Sequence, residues 1–207
     1  MVNIVPGILA EDKQHLKSEI NRLKSFFTEI QIDICDGKFT DSQTVSPGDI
    51  DYLNEETVFG FHLMVCDPLL YLDSFIRLKI QNVIIHAESC VRAKPLIALL
   101  RHNNIKIGLA VNPKTQIQNL FLPDYDFIQL MGVVPGRQGR EFMPEVLEKI
   151  AKIRKNDFQK PIWLDGGIND KTARLIKGFD IQTVVVGSYF KDEKVEEKLE
   201  LLQSELK

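Results

Sequence analysis

Residues 29–39 read EIQIDICDGKF. Ile30, Ile32 and Ile34 alternate with Gln31, Asp33 and Cys35, and the run breaks at Asp36-Gly37. A period of two marks a strand with two different faces. One face is isoleucine throughout; the other carries an amide, a carboxylate and a thiol. If the second face pointed into a barrel, a lone carboxylate there would be costly unless a metal or a partner acid relieved it. The same parity that makes Ile32 a core residue therefore makes Asp33 a candidate functional group.

Seven further runs of this kind follow the same rhythm: 3–9, 58–65, 82–88, 106–112, 126–133, 161–167 and 183–190. Helix-spaced stripes lie between strand runs or after the last one. Leu16, Ile20, Leu23 and Phe27 form one, and Val195, Leu199, Leu202 and Leu206 another. Phe142, Val146, Ile150 and Ile153 make a third, with Pro144 near its start, where a missing N–H does no harm. The region 47–55 predicts only a turn or two of helix. Eight strands alternating with helices in 207 residues predict one α/β domain over 1–207, a (β/α)8 TIM barrel. An open doubly wound sheet would feed its first strand into a glycine-rich fingerprint. Here the first strand runs into ILAEDK instead.

Composition narrows the function classes. A formal net charge of −3 leaves no whole-chain footprint for nucleic acid. No apolar run approaches bilayer length, so no membrane partner is expected. Cys35, Cys66 and Cys90 follow no paired-ligand spacing and, without a signal-peptide pattern, fit a reducing cytoplasm.

In a barrel the reactive groups gather where the strands end. Those ends supply Asp33 and Asp36, His62 and Met64, His86 and Glu88, Asn112, Met131, Asp165 and Ser188. Asp36, before glycine, reads as turn chemistry. His86 and Glu88 read as a core pair with a possible supporting role. His15 and His102 read as surface. Glycines punctuate the last three strand ends at 135–139, 165–167 and 186–188. Successive backbone N–H groups there suit a phosphate.

Taken together, PGILAED, IDICDGKF, FHLMVCDP, IIHAES, GLAVNPKT, QLMGVVPGRQG, LDGGIN and VVVGSYF resemble the ribulose-phosphate 3-epimerase family over almost the whole chain. The resemblance implies a (β/α)8 isomerase that interconverts D-ribulose 5-phosphate and D-xylulose 5-phosphate. It further implies a divalent metal (zinc, iron, manganese or magnesium), a phosphorylated ketose as partner and a homo-oligomer. By the same resemblance Asp33 and Asp165 match the catalytic acid–base pair and, with His62, the metal ligands. Met64 and Met131 match the substrate pocket, as do Gly7, Gly136 and Gly139. Gly166, Gly167, Gly187 and Ser188 match the phosphate-binding backbone.

Several positions depart from the family pattern. Gln31 stands where the family has a histidine ligand, and an amide oxygen suits magnesium or manganese better than zinc. Cys35 replaces a methionine and reads as a small buried hydrophobe. Gly7 replaces a serine, TDS (40–42) replaces VPN, and the loop GFGGQ becomes GRQGR, introducing Arg137 and Arg140. The alternatives are a barrel that binds a sugar phosphate without turnover, or an enzyme for another phosphorylated ketose. A decarboxylase relative would carry D-x-K-x-x-D on its third strand, which FHLMVCD lacks.

Overall fold

The computed structural model describes residues 2–51, 53, 56–89, 93–120, 122–155 and 157–207, the Asn119 side chain excepted. Cys90 and part of the 47–55 region lie outside the described residues. Eight parallel strands pair in sequence order and close on themselves, β8 against β1. They are β1 Asn3–Ile8, β2 Glu29–Cys35, β3 Val58–Met64, β4 Asn82–His86, β5 Lys106–Val111, β6 Phe127–Met131, β7 Ile162–Asp165 and β8 Thr183–Val186. This is a (β/α)8 TIM barrel.

Six helices cover the outside among the described residues: α1 Lys13–Leu23, α2 Leu72–Arg77, α3 Ala93–His102, α4 Glu148–Lys155, α5 Asp170–Ile176 and α6 Val195–Glu205. None is long and apolar enough to cross a membrane. Among the described residues, the β2–β3 and β5–β6 connections carry only 3-10 turns, Pro47–Asp49 and Ile117–Asn119. Helix starts follow local chemistry. The Asp12 carboxylate accepts from the His15 N–H at 2.8 Å, and Asn169 Oδ1 accepts from the N–H groups of Lys171 and Thr172.

Alternation sorts the residues into two cores. Outward-facing residues such as Ile30, Ile32, Phe61, Leu63, Val83, Ile107 and Leu164 join the helices in one continuous apolar layer. Ile84, Ala110, Phe127 and Met131 cluster inside the barrel, where Trp163 stacks on Phe127 at 4.2 Å between ring centres. The remaining inward positions include Gln31, Asp33, His62, His86, Gln129 and Asp165, all buried.

Three helical details differ from the sequence reading. Phe27 follows α1 instead of ending it, though it remains buried. Phe142 precedes the 3-10 turn Pro144–Leu147 that leads into α4. Its ring sits against Gly132 and its backbone against Gly167, where glycine leaves room. On α6, Val195 and Leu202 are buried while Leu199 is only partly so.

Candidate active site

The mouth of the barrel is assembled by ladder register. Gly7 pairs with Gln31, Asp33 with His62, and Met131 with Asp165 across neighbouring strands. The pairings set Asp33, His62, Met131 and Asp165 at the mouth and place Gln31, two residues before Asp33 on β2, one inward position below. His62 Nδ1 lies 3.1 Å from Asp33 Oδ1 and 3.4 Å from Asp165 Oδ2. Ligand atoms of Asp33, His62 and Asp165 all fall within 4.8 Å of one another, close enough to share a divalent ion.

Gln31 enters this group from below. Its Nε2 donates to Asp33 Oδ1 at 2.9 Å and to Asp165 Oδ2 at 2.8 Å, and lies 3.4 Å from His62 Nδ1. Gln129, on β6, adds a second donor to Asp165 Oδ2 at 2.8 Å. The buried Oε1 atoms of both glutamines have no partner among the described residues.

Behind His62 runs a chain of hydrogen bonds. His62 Nε2 is 2.9 Å from His86 Nε2, and His86 Nδ1 is 3.3 Å from Glu88 Oε2. Glu88 Oε1 accepts in turn from the Asn112 N–H and the Thr115 hydroxyl. Burial opposes a charge on Glu88, but the bonds from His86, Thr115 and Asn112 outweigh it and hold the carboxyl down to about 2. Burial, then the neighbouring His62, brings His86 down to about 4, so it is neutral at pH 7. An ionised Glu88 takes the Nδ1 hydrogen of His86, leaving the His86 Nε2 lone pair to accept from His62 Nε2–H. With Nε2–H directed at His86, Nδ1 is the His62 nitrogen that faces the two carboxylates.

The acids themselves are perturbed. Burial, then the charge on Asp33, lifts Asp165 to about 7, against the pull of His62 and Gln31. Burial works against charging His62, yet the Asp33 hydrogen bond and the two carboxylates prevail and raise it above its ordinary value. Perturbation of this kind, in a cleft, is characteristic of acid–base sites.

One cavity at the mouth is lined by Gly7, Asp33, His62, Met64, Met131, Gly136, Gly139, Asp165, Gly166, Gly167, Gly187 and Ser188. The candidate residues from the sequence thus converge on one place, with Gln31 beneath. Gly166 and Gly167 have φ of +99° and +72°, and a Cβ at either would fall within 3 Å of Val133 or Phe142. Only glycine fits there, and both residues border the cavity. At Gly7 a Cβ would meet Val185 at 3.0 Å and lie 3.9 Å from Asp33 Oδ2.

The other readings also find their places. The Cys35 thiol faces Met64 Sδ at 3.9 Å, and burial pushes it up to about 12, as suits an inert hydrophobe. Asp36 caps its own turn through the N–H groups of Lys38 and Phe39 and also accepts from the Cys66 N–H at 2.8 Å. His15 and His102 are exposed on α1 and α3.

Two residues escaped the sequence reading. Gln129 shares the inward parity of Phe127 and Met131, a signal available in the strand pattern. Gln138 donates to the Gly7 carbonyl at 3.0 Å, tying the loop after β6 to β1. No spacing rule announces that contact.

Comparison with known proteins follows the same lines. The sequence pattern of the ribulose-phosphate 3 epimerase family matches residues 3–191. The ribulose-phosphate 3-epimerase of Chlamydia pneumoniae is 33% identical, over 99% of this chain and 95% of its own length. The enzyme of that name from Encephalitozoon cuniculi is 34% identical over 86% of this chain and 82% of its own. Among solved structures, a 3-keto-L-gulonate-6-phosphate decarboxylase from Vibrio cholerae superposes with a TM-score of 0.70 at 10% identity, covering 99% of this chain and 97% of that one. A mutant tryptophan synthase alpha-subunit from Pyrococcus furiosus gives 0.67 at 16% identity with the same coverage. At those identities the structural likeness speaks for the barrel alone. The match across the family pattern, together with relatives of this identity and coverage, establishes that the chain belongs to the ribulose-phosphate 3-epimerase family.

Proposed function

We propose that the chain interconverts D-ribulose 5-phosphate and D-xylulose 5-phosphate, with Asp33 and Asp165 as the acid–base pair. The observation that carries this reading is two buried carboxylates meeting within 4.8 Å at a cavity bordered by glycine loops. Epimerisation needs a base on one face of carbon 3 and an acid on the other. One carboxylate takes the carbon 3 proton, and the C–H electron pair moves into the carbonyl to give an enediolate. The other, already carrying a proton, delivers it to the opposite face. The two groups then stand with roles exchanged, ready for the reverse reaction.

With a value of about 7, Asp165 is suited to hold or release its proton near neutral pH. Burial works against charging His62, but Asp33 and Asp165 raise it above its ordinary value, which favours positive charge beside the developing oxyanion. The Gly166, Gly167, Gly187 and Ser188 N–H groups are the proposed phosphate ligands. Gly7, Met64 and Met131 are proposed to border the sugar, with Gly136 and Gly139 in the loop above it.

The donor set fits a divalent ion on one condition: Gln31 must turn its carbonyl inward. The unpartnered Oε1 is available for that role. Asp33, His62, Asp165 and the Gln31 carbonyl would then hold the ion, with manganese or magnesium favoured over zinc by the three oxygens. When bound, such an ion supplies positive charge against the enediolate oxygen.

A second reading, a ketose phosphate with another anionic group, is favoured by Arg137 and Arg140. Both are exposed, border the mouth and have no carboxylate partner among the described residues. The deciding experiment follows solvent deuterium into carbon 3 of ribulose 5-phosphate. Incorporation with release of xylulose 5-phosphate is expected. Its absence in wild-type protein, with or without added Mn2+, ends the pentulose assignment.

A further inference from the structure

Three groups with metal-ligating atoms converge at the barrel mouth, and the atom at their meeting point is an amide nitrogen. Gln31 Nε2 has two hydrogens, and two carboxylate oxygens, Asp33 Oδ1 and Asp165 Oδ2, stand 2.9 and 2.8 Å away. Side-chain amides turn over with little change of shape, so the orientation is decided by what each end meets. Outward, Oε1 meets no partner among the described residues. Inward, an oxygen would face two carboxylates and suffer repulsion, whereas NH2 satisfies both. Only a cation between the acids would reverse that preference.

We propose that Gln31 is a built-in stand-in for the cation, a positioning residue that holds Asp33 and Asp165 together so that the pair works without a bound ion. Its amide is a two-way group, NH2 inward in the ion-free site and carbonyl inward when an ion enters. The catalytic half of this inference rests on the acid–base reading above; the structural half does not. An ion must displace two hydrogen bonds to bind, so its net effect on the folded chain is small.

The test uses full-length chain stripped with chelator, its metal content verified by elemental analysis. Wild type, Gln31→His and Gln31→Glu are melted with and without Mn2+, and deuterium entry at carbon 3 of ribulose 5-phosphate is followed in each state. Stripped wild type should melt within about 1 °C of its Mn2+-treated form, because an ion that displaces existing bonds gives little net stabilisation. Its deuterium exchange should survive stripping to within about threefold, less than the ~10–100-fold that loss of a needed metal partner brings. Gln31→His and Gln31→Glu remove the bridging amide. Stripped, both should melt below wild type and regain about 5 °C or more with Mn2+, as expected when ligand binding stabilises only the fold. Gln31→Glu, nearly identical in shape, guards against a packing defect in Gln31→His. A wild type that gains as much from Mn2+ as the variants overturns the proposal. So does exchange that vanishes on stripping and returns with Mn2+. If the melting pattern holds but no deuterium enters in either state, the stand-in survives and the epimerase reading falls.

Discussion

The two ends of the barrel hold carboxylates in different company, half-buried at one end and buried at the other. At the N-terminal end, Glu29 opens β2 and accepts from Asn82 Nδ2 at 3.2 Å and Asn3 Nδ2 at 3.4 Å. One acid meets two amides there, with Lys106 contributing charge, and burial still raises Glu29 above its ordinary value. At the C-terminal end, two acids share one bridging amide from Gln31 and are joined by His62. The lower cluster, at the barrel floor, gives its one carboxylate two amide donors, although Asn82 Oδ1 meets no partner among the described residues. The upper one crowds two carboxylates together, and burial, then the charge on Asp33, lifts Asp165 to about 7. On the proposed reading, chemistry resides where charge is left in balance between two groups, and structure where one acid faces its own donors.

If the contrast holds, Asp165→Asn should have the largest effect. Removing one partner of an acid–base pair should lower deuterium exchange at carbon 3 by about 10²–10⁴-fold. Exchange within a few-fold of wild type would place the chemistry elsewhere. Next comes the chain behind His62. Glu88→Gln frees His86 to adopt the other tautomer, and kcat should fall about 10–100-fold, the cost typical of losing an orienting partner. An unchanged kcat would make the Glu88–His86 pair merely structural.

The pH dependence of stability is a third handle, measured on stripped protein. Unfolded aspartate titrates near ~3.9, while folded Asp165 is lifted to about 7. Below about pH 4 both states hold the proton, and the site costs nothing. Between the two values the unfolded chain ionises first and gains at the expense of the fold; above about pH 7 the penalty is complete. Asp165→Asn should therefore melt above wild type at about pH 8, with the difference fading towards pH 4. An equal difference at both ends of that range would refute the assigned shift. The smallest effect belongs to the floor. Glu29→Gln should leave kcat and KM within about twofold and Tm within a few degrees, since it touches neither acid of the pair. A tenfold loss of turnover would erase the distinction between the two ends.

The strands were legible because the chain alternates so cleanly; Ile30, Ile32 and Ile34 can face only one layer, which forces Gln31 and Asp33 inward. The mouth glycines were legible too, because few roles other than tight turns and anion contact call for them in three consecutive loops. Other features lay beyond one-dimensional pattern. Which end of the Gln31 amide faces inward depends on Asp165, 134 residues away. The Gln138 bond to Gly7 spans 131 residues and belongs to a loop with no period to read. Phe142 extended a helical stripe by spacing alone, yet it packs on Gly132 and Gly167 before the turn begins.

The pairing of Gly7 with Gln31, Asp33 with His62 and Met131 with Asp165 makes the hydrogen-bond ladder a ruler for the mouth. Such a ruler has a consequence for how the chain tolerates changes in length. Deleting one residue within β2 would turn Ile32 and Ile34 into the mouth and send Asp33 into the apolar layer, a complete inversion from a single lost codon. Extra residues in the segment between β5 and β6 would leave every rung aligned. Length variation in this lineage should therefore accumulate between the strands and stop abruptly at their edges.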